Sequence, residues 1–136
     1  MEKHIINKEM ETNSNLPNIT PHYLIRHIII ETTGSPFEAL NDIQIAESLL
    51  RDIAQAMPTE VMKEDSHHFS PHGITAFMIV GASHLSIHTW PENGFAAVDL
   101  VVCIENINLP QILEITKTKL QAADITYLEF RRGLIK

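Results

Sequence analysis

The chain has 136 residues, 44% of them apolar, which suits one domain with a real core and is too short for two. Seventeen acidic against ten basic residues give a net charge of -7, which argues against a nucleic-acid surface and is compatible with a cationic small molecule. A single cysteine excludes an intrachain disulfide and a zinc site of paired cysteines, leaving Cys103 as a small core residue or a reactive thiol.

Residues 1–20 are rich in Asn, Glu, Lys and Thr and carry no secretory apolar stretch, so they read as a flexible arm before a domain over 21–136. No run of 18 apolar residues occurs, so no membrane span is expected and a reducing, cytoplasmic setting is the simple expectation. The β-branched run Tyr23–Glu31 predicts a strand, closed by Gly34. Ser35-Pro36-Phe37-Glu38 has the form of a capping box with proline at the first helical position. Apolar residues Phe37, Leu40, Ile43, Ala46, Leu50, Ile53 and Met57 then predict one helix, stopped by Pro58.

A polar strand is expected over Glu60–Phe69, a turn at Pro71-His72-Gly73, and strands over Ile74–Gly81 and Leu85–Trp90. Pro91-Glu92-Asn93-Gly94 reads as a turn and Phe95–Cys103 as a buried strand. Asn108-Leu109-Pro110-Gln111 opens a second helix with Leu109, Ile112, Leu113, Thr116 and Leu120 on one face, and Ile125–Phe130 forms a last strand. This order predicts an α+β fold, a mainly antiparallel sheet with two helices packed on one face. Such a layer leaves its other face open, and a homodimer is a natural way to cover it.

The chemistry concentrates in Ala82-Ser83-His84-Leu85-Ser86-Ile87-His88-Thr89-Trp90-Pro91-Glu92. Alternation along a strand turns His84, Ser86 and His88 one way and Ser83, Leu85, Ile87 and Thr89 the other. Ser83 and His88 therefore meet only if the backbone bends at one of them. Three readings compete on residue type alone. The first is a polar edge strand with hydrogen-bonded histidines. The second is a metal site drawn from His67, His68, His72, His84 and His88, whose spacing matches no zinc signature. The third is a Ser83 nucleophile with a His88 base, of which Gly81-Ala82-Ser83 supplies only half of a nucleophile elbow.

The run Ser83–Glu92, followed by Gly94-Phe95-Ala96-Ala97-Val98-Asp99-Leu100 and Cys103, resembles the signature of prokaryotic S-adenosylmethionine decarboxylases. The resemblance extends to His27, Glu31, His67, Phe69, Pro71, Gly73 and Arg132-Gly133, covering residues 22–133. It implies a decarboxylase-like sandwich whose only cofactor is a pyruvoyl group made from Ser83, with no metal. Decarboxylation of an α-amino acid leaves a carbanion that needs an electron sink, and this chain has no glycine-rich cradle for pyridoxal phosphate. By the resemblance Ser83 attacks the Ala82 carbonyl, and β-elimination and hydrolysis leave a pyruvoyl group at the start of the second chain.

The same resemblance gives His88 the role of processing base and Cys103 that of proton donor to the substrate carbon. It matches Phe69 to the aromatic stacked on adenine, Glu92 to the ribose carboxylate and Glu31 to an acidic group near the cationic substrate. His67 and His27 are supporting positions. The chain departs from the family pattern at Ala82, where a glutamate is usual, and at Thr75, where a serine assists processing. The implied function is self-cleavage followed by decarboxylation of S-adenosylmethionine to the aminopropyl donor for spermidine, in a homodimer of processed protomers. Two alternatives stay open: a pyruvoyl-dependent decarboxylase of ornithine or arginine, and an unprocessed, non-catalytic relative.

Overall fold

A computed structural model describes residues 5–9 and 22–135. Strands β1 (Ile5–Glu9), β2 (His22–Thr33), β3 (Val61–His68), β4 (Ile74–Val80), β5 (Ser83–Trp90), β6 (Phe95–Val102) and β7 (Asp124–Ile135) form one sheet. Its order is β1-β7-β2-β6-β5-β4-β3, with every neighbouring pair antiparallel except β1 and β7. Helices α1 (Phe37–Leu40), α2 (Ile43–Ala56) and α3 (Leu109–Lys119) belong to the same apolar core as one face of this sheet. The expected α+β layer is therefore present. Within the segment read as an arm, Ile5–Glu9 forms a strand that its polar composition did not predict, and the remainder of 1–20 lies outside the described residues.

Alternation does the sorting. On β4, Ile74, Ala76, Met78 and Val80 point into the core, and Ser83, Leu85, Ile87 and Thr89 do so on β5. Ile28 and Ile30 of β2 and Val98 and Leu100 of β6 join them. Opposite this face, α2 buries Ala46, Leu49, Leu50, Ile53 and Ala54, the stripe an amphipathic helix presents to a core. Each such leucine or isoleucine withdrawn from water contributes about 1.5–3 kcal/mol. The other face of the sheet has no covering layer among the described residues, and Phe77, Ile79 and Trp90 stand exposed on it.

The first helix departs from expectation. Pro36 is extended and no side chain caps α1, so Ser35 sits one residue too early to act as the cap. Its amide instead donates to the Gly94 carbonyl, 3.1 Å away, and its hydroxyl is buried with no hydrogen-bond partner among the described residues. The helix also breaks at Asn41-Asp42, because Asp42 is extended and its carboxylate accepts the Gln44 amide at 2.9 Å, capping a new helix. Three helices thus replace the two expected. At α3 the predicted start holds: Asn108 accepts the Gln111 amide at 3.1 Å, and Lys117 and Lys119 sit at the negative end of the helix.

Edge strand β3 is almost wholly exposed and carries Lys63, Glu64 and Asp65, charges that discourage pairing with another edge. Arg51 on α2 grips both oxygens of Glu64, at 2.6 and 3.1 Å, and reaches Glu47 at 3.3 Å. The hydrogen bonds and charge of Arg51 hold the Glu64 carboxyl below its ordinary range, and Glu64 in turn raises Arg51. Arg26 of β2 is tied to the buried Glu129 of β7 and donates to the Glu105 carbonyl.

Candidate active site

Gly81 and Ala82 form a two-residue turn between β4 and β5, with Val80 paired to Ser83. Gly81 has φ of 54°, and a Cβ there would lie 2.8 Å from Thr59 Oγ1, so glycine suits the position on two counts. The Ser83 side chain turns into the protein and is only 3% exposed. Cys103, just past the end of β6, meets this turn twice. Its amide donates to Ser83 Oγ at 3.0 Å, and its thiol to the Ala82 carbonyl at 3.5 Å. The hairpin of β5 and β6 thus brings together residues 20 positions apart, as their spacing predicted. Cys103 also lines a cleft of about 420 Å³ with Arg26, Ile104 and Arg131.

His88 is elsewhere. The predicted bend in the strand is absent: β5 runs unbroken from Ser83 to Trp90, and the reversal falls before it, at Gly81-Ala82. Ser83 faces the helices while His88 faces the open side, and five strand steps separate them by about 16 Å. On its own face His88 Nδ1 lies 2.9 Å from Thr75 Oγ1. These two stand in one cross-sheet row, because Glu31 is opposite Ala97, Ala97 opposite His88, His88 opposite Thr75 and Thr75 opposite His67. Opposed residues share a face, so Glu31, His88, Thr75 and His67 line one stripe of the open side.

Phe69 and Glu92 lie at the same end of the sheet. Phe69 is half exposed, and the His67 ring meets it edge-on with centroids 4.5 Å apart. Glu92, in the single 3₁₀ turn Pro91–Asn93, is paired with His72, whose Nε2 lies 2.8 Å from its carboxylate. Asn41 Oδ1 holds the intervening loop, accepting the Gly73 amide at 3.0 Å and facing His68 Nε2 at 2.8 Å. Residue pattern did not single out Asn41 or Asp99, which lies 3.1 Å from His27 Nε2. Their partners lie 32 and 72 positions away, and no local spacing announces such contacts.

The candidate residues therefore fall into two groups within one chain. Ala82, Ser83 and Cys103 occupy one end of β5; Glu31, His67, Phe69, Thr75, His88 and Glu92 occupy the other. The five histidines weighed as metal donors are dispersed, and among the described residues no three His, Cys, Asp or Glu side chains converge to hold an ion. No described helix is long and apolar enough to cross a membrane.

A one-layer α+β protein with a serine and a cysteine closed around a Gly-Ala hairpin turn is the class these features define. Residues 26–133 match the family model described as S-adenosylmethionine decarboxylase. S-adenosylmethionine decarboxylase proenzymes of Moorella thermoacetica and Caldicellulosiruptor saccharolyticus are 39% and 38% identical over 82% and 85% of this chain, and 89% and 93% of theirs. The crystal structure of the adenosylmethionine decarboxylase from Aquifex aeolicus superposes with a TM-score of 0.75 at 25% identity, over 84% of this chain and 94% of that one. The chain belongs to the S-adenosylmethionine decarboxylase family.

Proposed function

We propose that the chain is a proenzyme that cuts itself between Ala82 and Ser83 and then decarboxylates S-adenosylmethionine. The observation that carries this reading is the double grip of Cys103 on the Ala82–Ser83 peptide. Ser83 Oγ bonds to the Ala82 carbonyl carbon as the C–N bond breaks, turning the amide into an ester. A base then removes the Ser83 α-proton, the Cβ–O bond breaks and Ala82 leaves as a carboxylate. Water hydrolyses the dehydroalanine that remains, releasing ammonia and leaving a pyruvoyl group on residue 83. The thiol donor on the Ala82 oxygen favours the attack, since charge develops there in the transition state. The residues present fit such a group, with a serine at the turn and a thiol against it.

Bound at that position, the pyruvoyl carbonyl supplies the electron sink that decarboxylation requires. The Cys103 thiol returns a proton to the substrate carbon. Phe69 stacks on adenine, Glu92 accepts from the ribose hydroxyls, and Glu31 faces the sulfonium charge. The product is the aminopropyl donor for spermidine.

His88 is the base for the α-proton, with Thr75 holding its imidazole. The separation of His88 from Ser83 within one chain supports a homodimer in which a second copy supplies this pair. A two-fold copy laid on the open face with its strands reversed sets its His88 end over the Gly81-Ala82 end of the first and covers Phe77, Ile79 and Trp90. The free thiol suits a reducing cytoplasm.

Intact mass measurement of purified protein tests the processing step. Fragments of 82 and 54 residues are expected from the 136-residue chain, with one intact species for Ser83→Ala; an uncut wild-type chain would sink the reading. Carbon dioxide release from S-adenosylmethionine, ornithine and arginine tests the substrate. Release from the sulfonium alone is expected, and release from an amino acid alone would reassign the enzyme.

A further inference from the structure

His72 is not part of the processing machinery and belongs to no signature in the chain, yet it is the ion-pair partner the structure gives the Glu92 side chain among the described residues. Its Nε2 lies 2.8 Å from Glu92 Oε2. The ring is set by a second contact, the edge-on approach of Phe37 with centroids 5.4 Å apart and planes at 69°. Glu92 is 41% exposed on a single 3₁₀ turn, and a glutamate so placed would otherwise sample many rotamers. His72 uses one carboxylate oxygen and leaves Oε1 for a ligand.

The same short loop carries Phe69. The Phe69 amide donates to the Gly73 carbonyl at 2.8 Å, closing the loop on itself, and Asn41 accepts the Gly73 amide. His72 lies inside that closed loop. The contact from His72 to Glu92 therefore sets the distance between an aromatic face and a carboxylate, two groups that a purine nucleoside engages together.

We propose that His72 is a positioning residue that presets Glu92 and locks its spacing to Phe69, so that the nucleoside part of the substrate enters a preformed pocket. The inference rests on the reading of Glu92 as the ribose carboxylate. Its physical basis is preorganisation: a side chain fixed before binding loses less freedom when the ligand arrives. Such a residue acts on binding, and its loss raises KM with little effect on kcat.

Three variants of the processed enzyme separate this role from loop packing. His72→Gln keeps an N–H donor near the imidazole Nε2 and loses the ring contact with Phe37. His72→Phe keeps the ring contact and loses the donor. His72→Ala loses both. We expect His72→Ala and His72→Phe to raise KM and weaken adenosine binding by calorimetry by about five- to tenfold, with kcat within about twofold. His72→Gln should stay within about twofold of wild type in both readouts. The reverse order, with Phe near wild type and Gln resembling Ala, would overturn the proposal in favour of packing. Glu92→Ala separates the underlying reading: unchanged adenosine affinity there removes Glu92 from the nucleoside site and the proposal with it. Weakened binding in Glu92→Ala beside normal binding in His72→Ala overturns the proposal alone.

Discussion

The amide of Cys103 donates to the Ser83 hydroxyl at 3.0 Å, so a residue assigned to the turnover step also steadies the nucleophile of the step that precedes it. The amide meets the nucleophile, while the thiol meets the Ala82 carbonyl and is the group assigned to turnover. The two tasks can be separated by substitution.

Cys103→Ala keeps the amide and removes the thiol. It is expected still to cut itself, more slowly by intact mass because the Ala82 oxygen loses its thiol donor, with kcat of the processed enzyme for carbon dioxide release lowered about 100-fold, as for loss of a general acid. A wild-type kcat would take the proton-donor role away from Cys103.

Ser83 and His88 face opposite sides of the sheet, which makes complementation between copies measurable. Ser83→Ala has no nucleophile and His88→Ala no base. Each expressed alone should remain uncut or be cut slowly. Co-expressed, the His88→Ala chains should be cleaved by the His88 of their Ser83→Ala partners, giving C-terminal fragments whose mass shows the His88→Ala substitution. No cleavage in the mixed sample would mean that His88 acts within its own chain, and full cleavage of His88→Ala alone that the base is another residue.

Thr89 joins the sheet to the first helix. Its hydroxyl donates to the Leu40 carbonyl at 2.7 Å and accepts the Ile74 amide at 2.9 Å, all in the buried interior. Thr89→Val preserves shape and strands both backbone groups. On a Ser83→Ala background, which keeps the chain in one piece, we expect a loss of about 2–4 kcal/mol in denaturant unfolding. A loss below about 0.5 kcal/mol would mean that the backbone finds other partners.

The pair of Arg51 and Glu64 carries a pH signature. Because Arg51 depresses the Glu64 carboxyl, the stabilisation is present above the unfolded-state value and is lost as pH falls through the folded one. The difference in unfolding midpoint between the parent chain and Arg51→Ala should therefore be larger at pH 7 than at about pH 3. Being on the surface, it should also shrink with added salt. A difference that is constant with pH would assign the effect to the packing of the arginine stem.

Strand periodicity was the most legible feature of the chain. The alternation of Ser83, Leu85, Ile87 and Thr89 against His84, Ser86 and His88 could be read directly and is what the structure contains. The bend inferred from it was not, because the chain reverses before the strand, at Gly81-Ala82, and β5 itself stays regular. Ser35 misled because a capping box states which residues are able to cap, while the start of the helix is set by where the chain leaves β2. The break at Asn41-Asp42 was hidden for a similar reason: Asn41 answers to Gly73 and His68, which only the fold brings near. The Ser83–Cys103 approach was legible because a hairpin is a local object. The His72–Glu92 pair spans two separate turns and was not.

The order of strands across the sheet has a consequence for the molecule after it is cut. The proposed cleavage after Ala82 would assign β1 to β4 to one polypeptide and β5 to β7 to the other. Read across the sheet, the two pieces would then meet at four of its six strand junctions, with β2 flanked on both sides by strands of the other piece. Neither product inherits a sheet that it could close by itself, and each holds part of the helical cover. On the proposed cleavage the mature protomer would be two chains that share one interleaved sheet. Its renaturation becomes a second-order reaction that slows on dilution, whereas the uncut Ser83→Ala chain keeps the concentration-independent folding of a single polypeptide.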